Sequence, residues 1–139
     1  MKKLVLMTLA ALAVAGHGFA MDSLSNHTWK HRVLVLFGTD GDPKMREQLE
    51  FLNNNRAELA DRDMVVIAVE NGRTKTIYGS AGDVDAAALT REAQVAGTGF
   101  HAVLVGKDGG IKLKTTDVLG EPDLFGLIDR MPMRRNEKS

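Results

Sequence analysis

Three short constellations in this chain carry residue types that could do chemistry. The first is Gly38-Thr39-Asp40-Gly41-Asp42-Pro43, which sets a hydroxyl beside two carboxylates. Oxygen donors so arranged could hold a hard cation such as calcium. The same Thr39, Asp40 and Asp42 could also serve a non-cysteine enzyme as its centre. The plainer assignment makes Asp42 a helix N-cap ahead of Pro43, with Asp40 a turn residue. The second constellation is His27 and His31, four apart, which a helix would align for a transition metal. Their segment leads into an apolar run that reads as a strand, and no third ligand stands beside them. No metal is expected. The third is basic: Lys107 on a turn, with Arg134 and Arg135 near the end of the chain. Guanidinium groups bind a carboxylate bidentately, so these suit an acidic ligand or partner. Arg130, Arg134 and Arg135 would equally complement the C-terminus of a last helix. Thr39, Asp40, Asp42, Lys107, Arg134 and Arg135 therefore form the candidate binding surface. No residue is assigned a catalytic or cofactor-binding role, and no cofactor is expected.

Several chemistries are missing. The chain of 139 residues contains no cysteine, which removes disulfides, thiolate metal sites and sulfur nucleophiles. None of Ser23, Ser25, Ser80 and Ser139 lies in a Gly-x-Ser-x-Gly elbow. Gly97-Thr98-Gly99 lacks the other glycines and the lysine of a nucleotide loop. Lys and Arg number 18 against 18 Asp and Glu, so no positive field marks a nucleic-acid binder. A hydrophobic share of 44% argues for a folded chain.

The elements that must position these residues begin after a leader. Residues 1–20 read as a signal peptide, with Lys2 and Lys3, an apolar run from Leu4 to Ala15, and Gly18-Phe19-Ala20 for the peptidase. The apolar run is too short for a membrane span, which needs about 17–25 residues. Cleavage near Ala20 would give a periplasmic or secreted domain, residues 21–139, with a net charge of about −2 and no membrane span. Its partner, a protein or a small molecule, and its oligomeric state are not specified.

Within that domain, Arg32–Phe37 and Met64–Val69 are continuous apolar runs, as in strands buried on both faces. Between them, Asp42-Pro43 opens a helix expected to reach about Ala60, which makes the two strands a parallel pair. Glu70 to Gly82 reads as a polar loop. Asp83 is expected to cap a second helix through about Ala96. Phe100–Val105 is a third strand, turned by Lys107-Asp108-Gly109-Gly110 into Ile111–Thr115. Pro122 opens a last helix bearing Leu124, Leu127, Ile128 and Met131. Pro132 is expected to end it, leaving Met133–Ser139 as a basic tail. Trp29, the only tryptophan, is expected to pack over the sheet edge as a core anchor.

The order β-α-β-α-β-β-α, with a mixed central sheet, is that of a three-layer α/β sandwich of thioredoxin type. The chain resembles the DUF4174 family of thioredoxin-like domains. The resemblance rests on Trp29-Lys30-x-Arg32, Arg62-Asp63, Gly106-Lys107-Asp108-Gly109-Gly110 and Ile128-Asp129-x-Met131-Pro132-Met133-Arg134, spread over nearly all of the mature chain. It implies a fold and an extracytoplasmic address, but no activity. A thioredoxin keeps its reactive cysteines at the segment held here by Gly38–Pro43, and a cis-proline where this chain has Thr98-Gly99-Phe100. With both features missing, a non-redox binding or structural module is expected.

Overall fold

A computed structural model describes residues 20–138. Apart from Ala20, the expected leader lies outside the described residues. A 3-10 turn, Asp22–His27, precedes strand β1, Arg32–Gly38. Helices α1, Pro43–Asn53, and α2, Arg56–Asp61, lead to β2, Met64–Glu70, and then β3, Arg73–Tyr78. Helix α3, Ala86–Ala93, precedes β4, His101–Val105, and β5, Ile111–Thr115. A π-helical turn, Pro122–Gly126, runs into α4, Leu127–Asp129, and α5 spans Pro132–Lys138.

The five strands form one mixed open sheet in the order β3-β2-β1-β4-β5. β1 lies parallel to β2 and antiparallel to β4, with Val35 opposite Ile67 on one side and Val103 on the other. Alternation along the strands divides the core in two. Leu34, Leu36, Val66 and Leu104 face Met45, Leu52, Leu59, Leu124 and Ile128. Val33, Val35, Ile67 and Val103 face Ala86, Leu89 and Ala93, together with Met21 and Leu24 of the N-terminal segment. Helical elements thus cover both faces. The result is an α/β sandwich, consistent with the thioredoxin-like arrangement expected.

The differences have local causes. The helix after Pro43 breaks at Asn54 instead of running to Ala60, because Asn55 Nδ2 donates to the Phe51 carbonyl at 2.8 Å and competes with helix propagation. Arg73–Tyr78 is an edge strand within the expected loop; it pairs with β2 through its backbone, keeps Arg73, Lys75 and Thr76 exposed, and packs only Ile77 and Tyr78 against the core. Asp85, not Asp83, caps α3 by accepting from Ala88 N at 2.9 Å. The helix opened by Pro122 does end before Pro132, but Pro132 also opens a further helix, since proline suits the first helical position, and the expected tail becomes α5. Trp29 is not a core anchor: it is 67% exposed, with φ of 70°.

Candidate functional site

The six candidate residues fall at opposite ends of β1. Thr39, Asp40 and Asp42 follow its C-terminal end. The Asp42 carboxylate accepts the Lys44 backbone N–H at 2.8 Å, so the N-cap assignment holds. Thr39 lines a cavity of about 280 Å³ with Phe37, Val69, Thr90 and Thr98. Asp40 instead borders a polar depression with Glu70, Arg73 and Lys75. The three side chains therefore do not converge on one point.

The other end of β1 is built differently. Arg32 is only 1% exposed, yet it opens the strand. Its guanidinium donates to the Arg62 carbonyl at 2.9 Å and to Glu137 of α5 at 3.1 and 3.3 Å. Arg62, at the end of α2, donates to both oxygens of Asp129 at 2.8 and 3.0 Å and to Glu58 at 2.8 Å. Its guanidinium also lies 4.6 Å from the Phe125 ring centroid. Arg134 reaches back from α5 to the carbonyl and carboxylate of Asp61 and to Asp129. Lys107, in the β4–β5 turn, donates to Asp63 at 2.8 Å and to Glu137 at 2.7 Å. Three buried guanidinium groups and one ammonium thus meet five carboxylates, Glu58, Asp61, Asp63, Asp129 and Glu137, at one pole.

Burial and pairing oppose each other in this cluster. Burial alone would raise the pKa of Glu137, but hydrogen bonds from Lys107 and Arg32 outweigh it and hold the carboxyl at about 2. Arg62, chiefly, holds Asp129 below the usual carboxylate range, against the effect of burial and with help from Arg134. Burial would lower Lys107, yet Asp63 and Glu137 raise it. Pairing therefore favours the charged forms of Glu137, Asp129 and Lys107.

Beside the cluster runs a groove of about 420 Å³ between the β4–β5 turn and the start of α5. Its walls include Arg32, Lys107, Lys112, Met131 and Met133. Lys112 pairs with Asp108 at 2.8 Å, so each cation here faces a carboxylate of its own chain. The groove has an apolar wall and no surplus charge. Met133 is 37% exposed, and the Trp29 backbone N–H donates to the Lys107 carbonyl at 2.6 Å. Trp29 and Met133 are the exposed large apolar residues among those described.

Lys107 and Arg134 both approach Glu137, as members of an internal network. Arg134 is buried, while Arg135 is exposed on α5. Sequence reasoning did not identify the carboxylates that hold them. The one local signal was Glu137, three residues after Arg134 and 3.5 Å from it, and it stands in what read as a tail. The histidines do meet, Nδ1 to Nδ1 at 3.1 Å, and His27 Nε2 lies 3.1 Å from the Ala81 carbonyl. Burial, then the neighbouring His27, lowers the pKa of His31. Among the described residues no group of three or more His, Cys, Asp or Glu could hold a metal ion, and no helix is long and apolar enough to cross a membrane.

The pieces of sequence at Trp29–Arg32, Arg62-Asp63, Gly106–Gly110 and Ile128–Arg134 all contribute to this one pole. No curated protein and no solved structure matches the chain. The profile of the domain of unknown function DUF4174 matches residues 23–137. The chain belongs to that family.

Proposed function

From that membership we propose that the chain is an exported, non-redox binding domain of thioredoxin-like type. It is released into the periplasm or the exterior after cleavage near Ala20, and it holds a protein partner at the pole of Arg32, Lys107 and Met133. The observation that carries this reading is the groove beside the ion-pair network. The network consumes its own charges, so the groove suits an apolar side chain better than a polyanion. Methionine is unbranched and polarisable, and Met131 and Met133 can adapt their shape to such a ligand. Trp29 supplies a large amphipathic surface close by, of the kind that anchors interfaces. The absence of cysteine supports a non-redox role.

An enzyme centred on Thr39, Asp40 and Asp42 has less support, because Asp42 is engaged as a cap and the other two line different depressions. The test is crosslinking in the native compartment with wild type, Met133→Glu, Trp29→Ala and Asp40→Ala. One defined protein should be captured by wild type and Asp40→Ala, and lost with Met133→Glu. Capture that depends on Asp40 and ignores Met133 would move the site to the other pole. Insulin reduction above a buffer blank would refute the non-redox assignment.

A further inference from the structure

We propose that the cavity at the carboxyl ends of β1 and β2 binds a small uncharged ring compound carrying a hydroxyl or carbonyl group, a phenol being the simplest. The site lies at the end of β1 away from the Lys107 pole and is independent of the partner placed there.

The cavity is enclosed by well-defined elements. Its floor is Phe37 and Val69, both buried and opposite one another in the parallel pair of β1 and β2. One wall is α3, through Ala86, Ala87 and Thr90, and another is the segment from Val95 to Gly99 that leads into β4. The β2–β3 turn closes a third side. Its Asn71 and Gly72 have φ of 52° and 76°, as both central residues of a type I′ hairpin turn require. In open α/β sheets, ligands sit outside the carboxyl ends of strands where the chain changes sides. β1 is such a strand, with β2 on one side and β4 on the other.

Size limits the ligand. An apolar cavity of about 150 Å³ admits benzene, so about 280 Å³ admits one six-membered ring with its substituents. Four glycines line this space, and three have a local reason. A Cβ at Gly38 would meet Met45 Cε at 3.2 Å, while Gly72 and Gly97 have φ of 76° and 80°. Gly99 has neither constraint: its φ lies outside the left-handed region, and a Cβ there would meet nothing within 4 Å. What its missing side chain preserves is the cavity.

Polarity limits the ligand further. No charged residue lines the cavity. By contrast, Arg32, Lys107 and Lys112 wall the groove at the other pole, and Glu70, Arg73 and Lys75 border the depression at Asp40. An ionised ligand would give up water here with no counter-charge to receive it. The Thr90 hydroxyl is engaged, donating to the Ala86 carbonyl at 2.9 Å. The side chains of Thr39, Asn71 and Thr98 have no hydrogen-bond partner among the described residues. Two hydroxyls and a carboxamide thus border an apolar space, the mixture that small-molecule sites use to orient a ligand. A ring can rest on Phe37 and Val69 while its oxygen exchanges hydrogen bonds with them.

The test titrates the full nitrogen-labelled chain with p-cresol, and with p-toluate and 4-methylbenzylamine as its anionic and cationic counterparts, following backbone amide shifts by NMR. p-Cresol should give saturable shifts centred on Gly38, Thr39, Gly72, Thr98 and Gly99. Both charged analogues should bind at least about tenfold more weakly. Gly99→Leu and Ala87→Leu fill the cavity from two different elements and should abolish binding, with folding checked by far-UV circular dichroism. The double variant Thr39→Val/Thr98→Val keeps the shape and should weaken p-cresol by at least about twofold. Absence of saturable shifts, shifts centred on the Lys107 turn, or equal binding of the charged analogues would overturn the proposal. So would binding kept in either folded filler variant, or an unchanged affinity in the threonine pair. Each of these failures would leave the partner reading at the other pole standing.

Discussion

Replacing Glu137 with glutamine tests the polar cluster with a change of charge and almost none of shape. In the wild type this carboxylate receives Arg32 at 3.1 Å and Lys107 at 2.7 Å, and its pKa falls from 4.5 to about 2. The difference corresponds to roughly 3.4 kcal/mol at 1.36 kcal/mol per pKa unit. The side chain is 25% exposed, so solvent screening reduces this to about 1.5–2.5 kcal/mol. The sign follows from the depressed carboxylate. Its contribution is complete above the unfolded pKa near 4.5 and is lost as pH falls through the folded value near 2. Glu137→Gln should therefore be less stable than wild type by about 2 kcal/mol at pH 7, with the gap closing between pH 4.5 and 2. Urea titrations followed by far-UV circular dichroism at several pH values would measure it. A difference that stays constant down to pH 2.5 would refute the reasoning, because the loss would then come from shape rather than charge.

Three other changes probe separate parts of the structure. Gln48 is fully buried and bonds both the N–H and the carbonyl of Leu119, at 2.7 and 3.0 Å, so Gln48→Leu should cost about 2–4 kcal/mol in denaturant titrations. Trp29→Gly should leave stability unchanged or raise it by up to about 1 kcal/mol, since glycine accepts the positive φ; a loss above that would mean the indole supports the fold. Leu89→Ala, on the buried face of α3, should lower stability by about 2–5 kcal/mol through cavity formation, with a matching fall in Tm by calorimetry.

How much of this was legible depended on where each residue found its partners. The buried strands were readable because Val33–Phe37, Val65–Val69 and Ala102–Val105 are apolar on both faces, which no surface element needs. Asp42-Pro43 named its own helix start, for cap and proline act within one turn. β3 was hidden because an edge strand takes its hydrogen bonds from a neighbour and can keep Arg73 and Lys75 in water. Pro132 was read for half of its meaning, since proline both follows helices and begins them: one helix ends before it and α5 starts at it. At the candidate site the limitation was range. Arg32 meets Glu137 across most of the chain, and Arg134 meets Asp61 from 73 residues away, so local spacing could not pair either arginine with its carboxylate. Trp29 misled for another reason: size and apolarity favour the core, but a left-handed backbone at a turn directed this ring outward.

The outward position of that indole also determines what light can report. A tryptophan that is already in water changes its surroundings little when the chain unfolds, so its emission is a poor gauge of denaturation. The same ring stands beside the Lys107 turn and would be shielded by anything seated there. Since the sequence has a single Trp and a single Tyr, the signal has one dominant origin. Fluorescence can then follow occupancy of one pole while dichroism follows the backbone, and the two processes separate in the same cuvette without a label.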